Sequence, residues 1–119
     1  MIGGQRPAES PGVVLSVAEW FHQVQAGGST NVKVDVENRG AQTEELRVVI
    51  DGPVWVEAQP PRISLEAGAG SQLNVRCRPP GDNYPGTFDV TVRVQGSREA
   101  TRSWASFRLT VDRDWRRSS

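Results

Sequence analysis

The sequence predicts an all-β fold in which two sheets pack face to face, and three features of the chain lead to this prediction. Apolar and polar residues alternate with a period of two in most segments, as in strands that bury one face. Glycine- and proline-rich turns separate these segments at short, regular intervals. No stretch shows the periodicity of an amphipathic helix. Seven short strands of this kind are typical of a β-sandwich.

Five segments alternate clearly, and they cover residues 30–38, 44–51, 72–78, 87–95 and 102–112. In 87–95 the apolar positions are Phe88, Val90, Val92 and Val94, and polar residues stand between them. In 102–112 the apolar side carries Ala105, Phe107, Leu109 and Val111, so Trp104 falls on the polar side. The sequence therefore predicts an inner and an outer face for each of these strands.

Two further elements are weaker. A short first strand, 13–17, continues irregularly through residues 20–25. A seventh short element combines 54–56 with 63–65. We expect one domain over residues 13–112, preceded by a leader or linker at 1–12 and followed by a tail or linker at 113–119.

The length and composition of the chain limit the classes of function that it can have. The 119 residues suffice for one hydrophobic core. The 14 basic and 14 acidic residues give a formal net charge of +0, so we expect no nucleic-acid partner. No apolar run approaches the length of a membrane span, so we expect no membrane insertion. Residues 1–12 lack the apolar core of a signal peptide, and the compartment stays unassigned.

Chemically reactive residues are scarce, and we expect no catalytic site, metal or cofactor. Cys77 is the single cysteine and His22 the single histidine, which excludes an intrachain disulfide and an ordinary zinc site. Cys77 falls on the inward side of its strand, and we expect a buried, inert thiol. Glu44 and Glu45 are adjacent on a strand and point to opposite faces, so they cannot cooperate as acid and base.

Several motifs occur in an order that resembles a known family. They are Gly27-Gly28, Val32-x-Val34-x-Val36-x-Asn38-x-Gly40, Gly52-Pro53-Val54-Trp55-Val56, Pro60, Leu65-x-x-Gly68, Val75-x-x-x-Pro79-Pro80 and Pro85-Gly86-x-Phe88-x-Val90-x-Val92. Together they resemble the bacterial immunoglobulin-like or fibronectin-like modules, and in particular the alpha-galactosidase-associated ones. The resemblance implies a seven-stranded immunoglobulin-like β-sandwich without catalysis. Where that family often has a tyrosine, whose hydroxyl can bond to the backbone at the corner, this chain has Phe88. Tyr84 is close in sequence and could supply that hydroxyl instead.

Aromatic residues outside the predicted core are the candidates for partner binding: Trp20, Phe21, Trp104 and Trp115. If the last strand neighbours the first, Trp104 comes within reach of Trp20 or Phe21. These rings would then stack on sugars or dock another domain. The alternative is that Trp20 and Trp104 cap the open edge of the sandwich.

The leading hypothesis is a non-catalytic interaction or spacer module of a larger bacterial protein, monomeric in isolation, with another protein domain as its partner. The alternatives are a carbohydrate-binding accessory domain that binds polysaccharide, and a structural subunit of a surface or injection assembly.

Overall fold

The computed structural model describes residues 12–96 and 102–112, in which the chain forms nine strands and no helix. The strands are β1 (Val13–Val17), β2 (Phe21–Gln25), β3 (Thr30–Asn38), β4 (Glu44–Asp51), β5 (Val56–Gln59), β6 (Arg62–Leu65), β7 (Gly70–Cys77), β8 (Gly86–Gly96) and β9 (Arg102–Asp112). The prediction of an all-β fold is confirmed, and the predicted number of seven strands is wrong. The described part of the chain has no helix with the length and hydropathy of a membrane span.

The nine strands form two sheets. One has four strands in the order β1-β3-β7-β5, and all its neighbours are antiparallel. The other has five strands in the order β2-β9-β8-β4-β6. There, β2 runs parallel to β9, while the other neighbours are antiparallel.

The two extra strands arise where the chain changes sheets. The predicted first strand divides because residues 18–20 carry the chain from β1 in one sheet to β2 in the other. The predicted seventh element divides in the same way, with β5 and β6 in different sheets and Pro60-Pro61 between them. Proline cannot donate a main-chain hydrogen bond to a ladder, so the pairing of β5 ends there.

Valine rows from the two sheets form the centre of the core. Val32, Val34 and Val36 of β3 are at most 1% exposed. Their counterparts in the other sheet are Val90, Val92 and Val94 of β8, which are equally buried. β-Branched side chains suit the pleated surface of a strand, and burying each contributes about 1.5–3 kcal/mol relative to exposure. The inward positions predicted for these strands are confirmed.

Asn38 is a buried polar residue that joins three segments at the end of β3. Its Nδ2 donates to the main-chain oxygens of Gln42, at 2.8 Å, and Leu65, at 2.9 Å. Its Oδ1 accepts from the main-chain N–H of Gly40 at 2.9 Å. Its own main-chain oxygen accepts from the N–H of Gly68, which has a φ of 81°. One amide therefore satisfies polar groups of the β3–β4 turn and of β6 in the opposite sheet.

We expect Asn38→Ala to lower the free energy of unfolding by about 2–4 kcal/mol, because it leaves the buried Leu65 carbonyl without a donor. Chemical denaturation followed by tryptophan fluorescence measures this. The control is Asn31→Ala on the exposed side of β3, where Oδ1 accepts from Asn74 Nδ2. Equal losses of stability in the two variants would contradict the role given to Asn38.

Candidate interaction surface

The outward side chains of the five-stranded sheet form one continuous surface, which we call the outer face. Paired residues in register point to the same side of a sheet. Three rows therefore cross β8 and β9 in sequence: Arg93 with Trp104, Thr91 with Ser106, and Asp89 with Arg108. On the edge strand β2, Phe21 lies opposite Arg108 and extends the third row.

Cross-strand bonds hold the middle of this face. The hydroxyls of Thr91 and Ser106 lie 2.9 Å apart. Arg108 Nε donates to Asp89 Oδ1 at 3.1 Å. Arg93 binds both carboxylate oxygens of Asp51, at 2.7 and 3.3 Å. These ion pairs are largely solvated and contribute about 0–1 kcal/mol each, so they orient side chains more than they stabilise the fold.

Three of the four predicted partner-binding residues are exposed at this sheet. Trp104 is 66%, Trp20 64% and Phe21 46% exposed. The rings of Trp20 and Phe21 pack edge to face, with centroids 5.9 Å apart. The main-chain oxygen of Trp20 accepts from the N–H of Arg108, which anchors this pair beside β9. The fourth residue, Trp115, lies outside the described residues.

Trp104 stands apart from this pair. It precedes Arg108, the partner of Phe21, by four positions, or about 13 Å along an extended strand. Among the described residues, Trp104 makes no aromatic ring contact. The last strand does neighbour a part of the predicted first strand, as expected. The parallel register nevertheless separates the rings along the face.

Shallow depressions on the outer face include two that the described residues line with polar groups. The first lies beside Trp20 and is lined by Trp20, Asp89, Thr91, Ser106, Phe107 and Arg108. The second lies at the far end of the sheet and is lined by Glu45, Leu46, Arg47, Arg62, Gln95 and Gly96. Sequence reasoning missed the second, because its residues come from strands that are distant along the chain.

The two reactive residues lie in different surroundings. His22 is half-buried on β2, where its Nε2 donates to the main-chain oxygen of Glu19 at 2.9 Å and its ring packs edge-on against Phe107. Cys77 is fully buried at the end of β7, opposite Thr30 of β3. Burial raises the pKa of the Cys77 thiol to about 11. A neutral, enclosed thiol is a poor nucleophile.

Other residues that the sequence singled out lie as follows. Trp55 is half-buried and packs edge-on against Phe88, with ring centroids 5.5 Å apart, at the margin of the core. Tyr84 is 82% exposed and faces solvent. Among residues 12–96 and 102–112, no three acidic, histidine or cysteine side chains cluster to hold a metal ion.

Solved structures share this architecture. A PapD-like domain of human CEP192 has a TM-score of 0.61 at 11% identity, covering 95% of this chain and 94% of its own. The periplasmic chaperone SfaE has a TM-score of 0.55 at 14% identity, covering 84% of this chain. A family 123 glycoside hydrolase from Clostridium perfringens has a TM-score of 0.68 at 8% identity, covering 84% of this chain. The chain spans only 58% of SfaE and 27% of the hydrolase.

These likenesses confirm the predicted immunoglobulin-like β-sandwich, and they extend it to PapD-like domains, which the sequence did not predict. No protein-family model matches the sequence, and no curated protein matches it. The link to alpha-galactosidase-associated modules therefore stays a prediction. At these identities the likeness shows the fold, and a fold alone does not assign a function.

We expect Cys77 to resist alkylation by iodoacetamide in the folded protein at pH 8 and to react once denaturant unfolds the chain. Linkage predicts a pH effect as well. The unfolded thiol ionises from about pH 9 and the folded one from about pH 11, so stability falls as pH rises through this window. Mass spectrometry measures the labelling, and Cys77→Ala should remove this part of the pH dependence. Rapid labelling of the folded protein would contradict the burial.

Proposed function

We propose that this domain is a non-catalytic interaction module of a larger bacterial protein and that it docks another protein domain through the outer face. The observation that carries the proposal is the exposure of Trp20, Phe21 and Trp104 at one sheet. Exposed aromatic side chains are enriched at binding hot spots, and clustered apolar surface indicates an interaction site.

The opposite surface supports this assignment by contrast. The outward residues of β3 and β7 are polar: Asn31, Lys33, Asp35, Glu37, Gln72, Asn74 and Arg76. Several bond to one another across the strands, as Gln72 Nε2 does to Asp35 Oδ1 at 3.0 Å. Among the described residues, this surface offers a partner no aromatic anchor.

The absence of catalysis is part of the proposal, and the state of the two reactive residues supports it. The thiol of Cys77 is enclosed and held neutral at physiological pH. The imidazole of His22 donates a hydrogen bond to the Glu19 carbonyl and packs edge-on against the Phe107 ring. These two residues therefore lack the mutual hydrogen bond that a thiol–imidazole nucleophile requires.

Short edges favour a monomer over the alternative of an assembly subunit. The four edge strands β1, β2, β5 and β6 have four or five residues each. The inner strands have eight to eleven. Short edge strands offer few free main-chain groups to a neighbouring sheet, which disfavours edge-to-edge polymerisation.

Site-specific photo-crosslinking in the producing cells tests the docking surface. A photoreactive residue replaces Gln23 or Gln95 on the outer face, or Asn31 on the opposite surface as the matched control. We expect one protein to be captured from both outer positions and not from Asn31. In the purified complex, Trp104→Ala should weaken binding by about 30-fold, as at a hot spot, with little change in melting temperature.

The isolated domain should sediment as a monomer, which excludes self-capture as the source of the crosslink. Equal capture from Asn31 would count against the outer face. Unchanged binding of the captured protein by Trp104→Ala would do the same.

A polysaccharide is the second candidate partner, and the depression beside Trp20 favours it. An exposed indole next to Asp89, Thr91 and Ser106 combines a stacking surface with hydrogen-bonding groups. We expect a binding polysaccharide to shift tryptophan fluorescence, and Trp20→Ala to abolish that response. Trp55→Phe, in the half-buried contact with Phe88, is the matched control. No response across a panel of neutral and acidic polysaccharides would remove this candidate.

A further inference from the structure

A row of arginines crosses the outer face at the end that holds the second depression. Arg62 of β6 pairs in register with Arg47 of β4, and Arg47 pairs with Gln95 of β8. Gln95 in turn lies opposite Arg102 of β9. Four neighbouring strands therefore contribute three arginine positions and one glutamine to a single line. We call this line the arginine row.

The two described guanidinium groups of this row lack carboxylate partners. Elsewhere on the outer face, Arg93 is paired with Asp51 and Arg108 with Asp89. The ion pairs of the described ranges include neither Arg47 nor Arg62. Like charges directly opposite each other on a sheet are destabilising. The chain as a whole has a formal net charge of +0, so this row is a local concentration of positive charge.

The second depression contains both unpaired side chains. Arg47 and Arg62 line it together with Gln95, whose amide adds donors and an acceptor. Glu45 also lines it and adds one negative charge beside the two positive charges of Arg47 and Arg62. Its Oε2 accepts from the hydroxyl of Ser64 at 2.9 Å, which holds that oxygen toward β6. Guanidinium groups bind carboxylates with two parallel hydrogen bonds, so this depression suits an acidic side chain.

Trp104 lies next to the arginine row, two residues after Arg102 on β9. It is opposite Arg93, and Arg93 is opposite Val49, two residues after Arg47. Two strand spacings and two residues separate Arg47 from Trp104, which is about 12 Å between their main chains. About four residues of an extended peptide span that distance, and residues four apart on a strand point to the same side.

We propose that the arginine row docks an extended acidic segment of a partner protein. Carboxylates of the segment bind Arg47 and Arg62, and an apolar or aromatic side chain four residues away packs on Trp104. The inference rests on the proposed function and specifies which chemical groups the partner presents to the outer face.

The surroundings favour a short acidic peptide over a long polyanion. The row spans only three strand spacings, or about 14 Å. Along β4, Glu45 and Asp51 stand on either side of Arg47, and both carboxylates would meet the continuous charge of a nucleic acid or a sulfated polysaccharide.

The probe is a fluorescein-labelled peptide of about ten residues that alternates Glu and Thr and carries one Phe four residues after a Glu. We expect saturable binding by fluorescence anisotropy at low salt that weakens as salt rises. The double variant Arg47→Gln/Arg62→Gln should weaken it about tenfold or more. Lys33→Gln, on the opposite surface, should change it less than about twofold. The same peptide with Gln in place of Glu should not bind.

A second measurement uses the free domain. Arg62→Gln should raise its melting temperature, because the substitution removes the like-charge pair with Arg47. A result in which the double variant binds the acidic peptide as wild type does would overturn the proposal. Tighter binding of heparin or single-stranded DNA than of the peptide, with the same dependence on Arg47 and Arg62, would also overturn it.

The photo-crosslinked partner separates this inference from the proposed function. If Trp104→Ala weakens that complex and the double arginine variant does not, the docking surface stands and the acidic segment is wrong. If neither variant affects the complex, both are wrong.

Discussion

The structure depends on one constraint, which is that alternate side chains of the long strands face the core between the two sheets. The valine rows of β3 and β8 meet this constraint most strictly, since none of these six valines is more than 1% exposed. Because the side-chain period of a strand is two, a slip of one residue would exchange the two faces. The buried set therefore also determines which residues reach solvent, Trp104 and Arg47 among them.

This constraint concentrates the interaction chemistry on one surface. The opposite sheet presents polar residues that bond to one another, as Gln72 does to Asp35. The outer face presents exposed indoles, and two arginines that take part in none of the ion pairs of the described residues. A flat face of this kind can cover a broad partner surface through a few anchors.

Sequence patterns predicted the faces of the long strands, because alternation is a local property. The division of β1 from β2 and of β5 from β6 was not predictable, since segments of four or five residues alternate alike in either sheet. The pairing of Arg47 with Arg62 was not predictable from the sequence either, because it depends on which strands are neighbours in the sheet. Asn38 was part of a recognised motif, but its bond to Leu65 joins residues 27 positions apart. The exposure of Trp104 was predictable, because Trp104 alternates with the apolar residues of its strand. Its distance from Phe21 was not predictable, because that distance depends on the register between β2 and β9.

Cysteine accessibility along β9 tests the central constraint most directly. Single cysteines replace residues 105 to 111 one at a time in a Cys77→Ala background, and a maleimide labels the folded proteins. The account predicts fast labelling at 106, 108 and 110, and protection at 105, 107, 109 and 111. Equal labelling of adjacent positions, or protection that recurs every three or four residues, would contradict a strand with one buried face.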